Sequence, residues 1–285
     1  MLTLTAPAKI NLTLEVLAKR QDGFHEIRSV IQTIGLADTL EFHLDRAVDI
    51  KSDLPEWIAE DSLVSRTVRL VQENTGCSKG VFIKVSKRIP LLSGLGGDSS
   101  NAAAVLRGLN QLWELGLPQK ELLEMAWQLG SDVALFLYGG TALIEGRGEL
   151  VTPLPQLPSH WIVLMIPPVP RLPGKTKQLY ESLKTNHFTD GQITQQLVNE
   201  IKEGKDFPPS LLFNTFENVA FTRFSKLRVS QEHMVKAGTA NVHLSGSGPA
   251  LFTLVKDKHE AEELHIRLKQ QDLEIYLVET LPPIE

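Results

Sequence analysis

Between Ile10 and Val16 the chain alternates, with Ile10, Leu12, Leu14 and Val16 on one side and Asn11, Thr13 and Glu15 on the other. Such alternation predicts an extended strand with one buried face, and it puts Lys9 on the polar face beside Asn11. Past the turn-like Gln21-Asp22-Gly23, Leu40, Phe42 and Leu44, and then Val81, Ile83 and Val85, predict further strands. The spacing then changes. From Ser99 to Leu115 the apolar positions Ala102, Val105, Leu106, Leu109, Leu112 and Trp113 fall on one helical face, and Gly116 and Pro118 end it. A second helix is predicted from Pro118 to Gly130, with proline at its start and glycine at its end.

The segment VTPLPQLP, from Val151 to Pro158, holds three prolines in eight residues and predicts a boundary between residues 1–157 and 158–285. WIVLMIPP then resumes as a buried strand. The second part continues with a helix near Phe213 to Phe224, a strand-turn-strand over VHLSGSGPALFTLV, a charged helix from Lys258 to Lys269 and a strand from Glu274 to Val278. That order predicts an α+β unit with a mostly antiparallel sheet. A chain of 285 residues, 42% hydrophobic and 22% charged, has enough apolar mass for two such units.

Charge and cysteine content narrow the function classes. A formal net charge of -5, a pI near 5.9 and no long run of Lys or Arg argue against a nucleic-acid partner. The single cysteine, Cys77, excludes an intrachain disulfide framework and suits a reducing compartment. The N-terminus lacks the basic-then-apolar order of a secretory signal, and no stretch approaches the roughly 20 apolar residues that span a bilayer. The expectation is a soluble, cytoplasmic protein without a membrane partner; its oligomeric state is not legible. The eight histidines show no ligand spacing, so no structural zinc is expected.

The candidate chemistry centres on Pro90-Leu91-Leu92-Ser93-Gly94-Leu95-Gly96-Gly97-Asp98-Ser99-Ser100, between a predicted strand and a predicted helix. Glycines let a backbone approach an anion, and a helix start offers unpaired N–H groups and partial positive charge. Ser99 and Ser100 add hydroxyls, so the segment suits a polyphosphate. Neither the G-x-x-x-x-G-K-[ST] loop nor a G-x-G-x-x-G opening a βαβ unit occurs. Asp98 is the odd residue: a carboxylate facing phosphates would repel them by about 4 kcal/mol at 4 Å and an effective dielectric of 20. It is expected either to cap the helix or to reach a magnesium ion.

PLLSGLGGDSSNAA resembles the phosphate loop of the GHMP kinases, written P-x-x-x-G-L-G-S/G-S-S-x-A-A. APAKINLTLEV with DGFH resembles the substrate end of the diphosphocytidyl-methylerythritol kinase family. LGSDVALFLYGGTALIEGRGE resembles the segment carrying the catalytic aspartate, and NVHLSGSGPALFTLV the C-terminal glycine motif. The resemblance covers most of residues 6–150 and 241–255, and is weak over 170–240. It implies a two-domain α+β fold, an N-terminal half like ribosomal protein S5 and a ferredoxin-like C-terminal half, with the site between them. It implies ATP as co-substrate, with Mg²⁺, and transfer of a phosphoryl group to the 2-hydroxyl of a diphosphocytidyl-methylerythritol. It also makes Lys9 and Asp132 the catalytic pair, residues 90–100 the ATP loop, and Asn11, Phe24, His25 and Thr176 the substrate contacts.

This chain departs from the family's habit at Phe24, commonly Tyr; at Ser62, commonly an adenine-contacting Asn; at Asp98, commonly small; and at Ala134, commonly Pro. A kinase of the same superfamily acting on mevalonate or homoserine, and a silent nucleotide-binding protein that kept the fold, are the competing readings.

Overall fold

The computed structural model describes residues 1–60, 62–170, 174–239, 241–271 and 273–284. Its first half is built on one long strand. β1 (Leu2–Asn11) and β2 (Thr13–Lys19) lead into β3 (His25–Asp45), whose 21 residues pair antiparallel with β1, β2, β5 and β6; β4 (Val48–Ser52) runs parallel to β5. The helix α1 (Leu63–Thr75), the strand β5 (Gly80–Ser86), helices α2 (Gly97–Leu112), α3 (Gln119–Leu129) and α4 (Leu135–Tyr138), and the hairpin strands β6 (Thr141–Gly146) and β7 (Leu150–Pro153) follow. Ala102, Val105, Leu106 and Leu109 of α2 are buried in the core beneath the sheet, as their helical spacing predicts.

The alternating N-terminal run is two strands, parted at Leu12, and it has no wet face. Lys9, Asn11, Thr13 and Glu15 are buried along with Ile10, Leu12, Leu14 and Val16, which corrects the half-buried strand expected above. The second half of the chain packs on the apolar side and reaches the polar side through Thr194, whose N–H donates to Glu15 Oε2 at 2.7 Å and whose hydroxyl donates to Thr13 Oγ1 at 2.9 Å. Its elements are β8 (Trp161–Ile166), α5 (Lys175–Ser182), α6 (Gln192–Lys202), β9 (Phe213–Asn214), α7 (Glu217–Arg223), α8 (Ser225–Lys236), β10 (His243–Leu244), β11 (Leu251–Val255), α9 (Lys258–Lys269) and β12 (Glu274–Glu279). The last sheet runs β10-β11-β8-β12 with every pairing antiparallel.

Three local differences bear on the site. The helix expected at Phe213 to Phe224 starts only at Glu217, because Phe213 and Asn214 pair parallel with Thr13 and Leu14 and add an edge strand to the first sheet. α2 starts at Gly97 with Gly96 as its cap, so Asp98 is not the N-cap; it is exposed in the first turn, where its charge complements the helix dipole. Ser62 caps α1, its hydroxyl accepting the Ser65 N–H at 3.2 Å.

Candidate active site

A bulge between Pro7 and Ala8 in β1 shifts its register against β3, from Pro7 opposite Ala37 to Ala8 opposite Ile34. Bulges re-aim side chains, and beyond this one Lys9 and Asn11 line a cavity of about 310 Å³ between the two halves. The Lys9 backbone N–H is held by the Leu95 carbonyl at 2.9 Å. Its ammonium donates to Asn11 Oδ1 at 2.7 Å, and Asn11 Nδ2 donates to Ser29 Oγ at 2.9 Å. Asp132 reaches the same cavity from the turn after α3, with Oδ2 4.0 Å from Lys9 Nζ. The lysine side chain is 6% exposed and the aspartate side chain 40%. Burial pulls the Lys9 pKa down and the Asp132 charge raises it in part. A fixed cation thus lies beside a carboxylate that is open to a ligand.

The phosphate-loop candidates surround a second cavity of about 350 Å³. Pro90 to Gly94 and Gly96 to Ser99 line it; Leu95 and Ser100 do not, for both side chains are buried. Two glycines explain the loop's path. Gly94 has φ 86 and a Cβ there would lie 2.3 Å from the Ser245 carbonyl; Gly96 has φ 74 and a Cβ would meet the Phe136 ring at 2.8 Å. The Ser245–Gly248 turn, the glycine motif noted near the C-terminus, therefore packs directly on the phosphate loop, and the Ser245 hydroxyl donates to the Gly94 carbonyl at 3.1 Å. Leu92, Gly94, Gly96 and Thr176 line both cavities, so the two adjoin along these residues.

The substrate candidates divide. Asn11 and Thr176 line the first cavity, and the Thr176 hydroxyl meets Ser247 Oγ at 2.7 Å. Phe24 and His25 sit at its rim, joined to it through lining residues: His25 stacks on Tyr180 with centroids 4.6 Å apart and 18° between planes, and Arg147 lies 4.8 Å over the Phe24 ring. Burial, then the Lys19 charge, holds the His25 pKa below its usual value, so the ring is neutral at neutral pH and offers one donor and one acceptor.

Several supporting residues were not foreseen. Asp38 is fully buried in β3, takes the Lys87 ammonium at 2.5 Å, and accepts the Arg88 and Ile89 N–H groups at 2.7 and 2.8 Å, which fixes the entry to the phosphate loop. Asn214 Nδ2 donates to the Leu244 and Gly246 carbonyls at 2.7 and 2.8 Å and so holds the glycine turn. Tyr180, Arg147 and Lys175 line the first cavity. A polar residue inside an apolar strand is a signal for Asp38, and Arg147 lies in the segment that resembles the one carrying the catalytic aspartate; Asn214, Tyr180 and Lys175 fall where the resemblance is weak. Among the described residues no cluster of three or more His, Cys, Asp or Glu side chains could hold a metal, and no helix is long and apolar enough to cross a membrane.

Residues 62–140 match the family described as GHMP kinases N terminal domain, and residues 204–271 the one described as GHMP kinases C terminal. The chain is 50% identical to the 4-diphosphocytidyl-2-C-methyl-D-erythritol kinase of Dehalococcoides mccartyi strain 195, over 285 residues and the full length of both. It is 38% identical to the Geobacillus kaustophilus enzyme of the same name over 275 residues, 94% of this chain and 93% of the other. A crystal structure of a 4-(cytidine 5'-diphospho)-2C-methyl-D-erythritol kinase superposes with a TM-score of 0.84 at 30% identity, covering 98% of this chain and 99% of that one.

Proposed function

The chain belongs to the 4-diphosphocytidyl-2-C-methyl-D-erythritol kinase family of GHMP kinases, and we propose that it performs the family's reaction through Asp132 and Lys9. That reaction moves the γ-phosphoryl group of ATP to the 2-hydroxyl of the diphosphocytidyl substrate, a step of non-mevalonate isoprenoid precursor synthesis. The observation that carries the residue assignment is the Lys9–Asp132 pair, 4.0 Å apart, in a cavity that opens onto the phosphate loop.

In this reading the Asp132 carboxylate accepts the proton of the 2-hydroxyl as its oxygen forms the new bond to the γ-phosphorus. The bond from that phosphorus to the bridging oxygen breaks, and ADP leaves with the electron pair. Lys9 places its positive charge beside the Asp132 carboxylate and offsets charge on the group in transit. Asn11 and Ser29 hold the ammonium in place. The loop glycines and the start of α2 cradle the ATP phosphates. Phe24, His25 and Tyr180 form an aromatic rim for the cytosine ring, with the neutral imidazole able to pair with the base edge.

Magnesium fits the donor set. Asp98 and Ser99 line the phosphate cavity, and the neighbouring Ser100 hydroxyl is buried without a hydrogen-bond partner, oxygen donors of the kind a hard cation takes. With a single carboxylate there, the ion would be held largely by phosphate oxygens, and it would supply neutralisation of their charge.

The test is a coupled ADP-release assay with the diphosphocytidyl compound, mevalonate and homoserine offered separately. Release with the first alone is the expected result. Release only with another alcohol would replace the substrate, and release with none of them would favour the silent nucleotide-binding protein.

A further inference from the structure

The first cavity holds a second amine that the transfer step leaves without a task. Lys175 opens α5 behind Gly174, which has φ 75, and its half-buried side chain lines the cavity. Burial alone acts on it, with no acidic neighbour to offset the cost, and pushes its pKa down to about 8. Arg147 lines the cavity as well, placed by its stack on Phe24 and paired only loosely with Glu149 at 3.9 Å. Among the described lining residues, the cations Lys9, Arg147 and Lys175 face one carboxylate, Asp132. Three positive side chains against one negative leave an excess of two positive charges, and an unmatched cation in a half-buried site is costly unless a ligand anion completes it.

We propose that Lys175, together with Arg147 of the same lining, forms a subsite for the diphosphate bridge of the substrate. The inference rests on the substrate reading above and deepens it: a nucleoside diphosphate ester carries two negative charges between its base and its alcohol, which matches the excess. Position favours this bridge over the ATP phosphates. Thr176, the next residue, lines both cavities, whereas Lys175 lines only the one that holds Lys9, Asn11 and Tyr180. The amine therefore lies on the substrate side of the junction, in the cavity that Asp132 and Tyr180 also line. Held there, the bridge fixes how far the alcohol reaches toward the base.

Titration calorimetry of CDP and of cytidine, each with ADP saturating the nucleotide site, compares wild type with Lys175→Met and Lys175→Arg. Loss of a charge-assisted phosphate contact is expected to weaken CDP about tenfold or more in Lys175→Met. Cytidine binding is expected to stay as in wild type, and Lys175→Arg to recover most of the CDP affinity. In turnover, KM for the diphosphocytidyl substrate should rise by a similar factor, kcat should fall less, and KM for ATP should hold.

A pH series adds a readout that packing alone would not move. Among the described residues, the other titratable or charged groups lining the cavity are Lys9, Asp132, Arg147 and Tyr180, and His25, held below its usual pKa, stacks on Tyr180 at the rim. Tyr180 is pushed up to about 12 by burial and the Asp132 charge, while Lys9 is shifted down. Wild-type kcat/KM is expected to fall as pH rises through about 8, and Lys175→Arg, which does not titrate there, to keep only the part due to Lys9. Unchanged CDP affinity in Lys175→Met, equal weakening of CDP and cytidine, a rise in KM for ATP instead, or identical pH profiles for wild type and Lys175→Arg would each overturn the subsite. Failure of the wild type to phosphorylate the diphosphocytidyl compound would remove the substrate reading, while the contrast between CDP and cytidine would still decide whether Lys175 binds a diphosphate.

Discussion

Asp132 and Lys9 differ most in exposure, and that difference separates their roles. In the proposed mechanism the open aspartate meets the substrate hydroxyl, whereas the lysine, nearly enclosed, acts through its charge. Asp132→Asn keeps the shape and removes the base, so kcat is expected to fall by roughly 10²-fold or more, since a positioned base supplies about 10²–10⁴. Lys9→Met keeps the buried stem and removes the charge, with a loss of similar order expected in steady-state turnover. Near wild-type kcat in either variant would take that residue out of the mechanism. His25 sits at the rim of the cavity, stacked on Tyr180, and is proposed to meet the cytosine. His25→Ala is expected to raise KM for the diphosphocytidyl substrate and leave KM for ATP unchanged; a weakening of ATP instead would mean the assignment of the two cavities is reversed.

At the scale of elements, the site depends on two loops locked together. The phosphate loop is fixed at its entry by Asp38 and along its length by the Ser245–Gly248 turn, which Asn214 holds in turn. Gly94 sits where the loops touch, so Gly94→Ala combines an unfavourable positive φ with a contact no Cβ can make. It is expected to abolish turnover and lower Tm by more than Gly76→Ala. Gly76 also has positive φ, at 67, but it follows α1 and faces open space, so alanine there costs only about 1–2 kcal/mol. Equal melting temperatures and equal KM for ATP in the two variants would show that the loops are not coupled. Asp38→Ala leaves the Lys87 ammonium buried without its partner, and a loss of about 3–5 kcal/mol in denaturant unfolding is expected.

For the whole molecule we propose 1–157 and 158–285 as two halves joined by shared cores, although the first half also holds a buried cluster of its own, from Ala6 to Ile144. Ile10, Leu12, Val30, Ile34 and Leu36 share one buried cluster with Ile162, Leu164, Ile166, Leu197 and Phe252. Leu14 and Val16 pack in another with Val163, Met165, Phe216 and Leu244. β9 even completes the first sheet from the second half. Separating the halves would expose both sides of these clusters. The full chain is therefore expected to melt in one calorimetric transition, and the fragment 1–157, which keeps its own cluster but loses the shared ones, to melt well below the full chain. Two independent transitions would refute the shared core.

The residues alone determined what local chemistry can determine. Apolar spacing set the face of α2, proline and glycine set the ends of α3, and a glycine run before a helix marked the phosphate loop, because each depends on neighbours within a few positions. The family resemblance added Lys9 and Asp132. Tertiary structure decided the rest. Alternation could not reveal that Thr13 and Glu15 on the polar side of the N-terminal run are buried, because Thr194, which bonds both, lies about 180 positions downstream. Nor could it foresee that Phe213 and Asn214 become a strand, since the pairing partner lies 200 positions upstream for each. Asp38, Asn214 and Lys175 show the same limit: an ion pair, a clamp on two carbonyls and an unmatched charge are each defined by atoms distant in sequence, and only folding sets those distances.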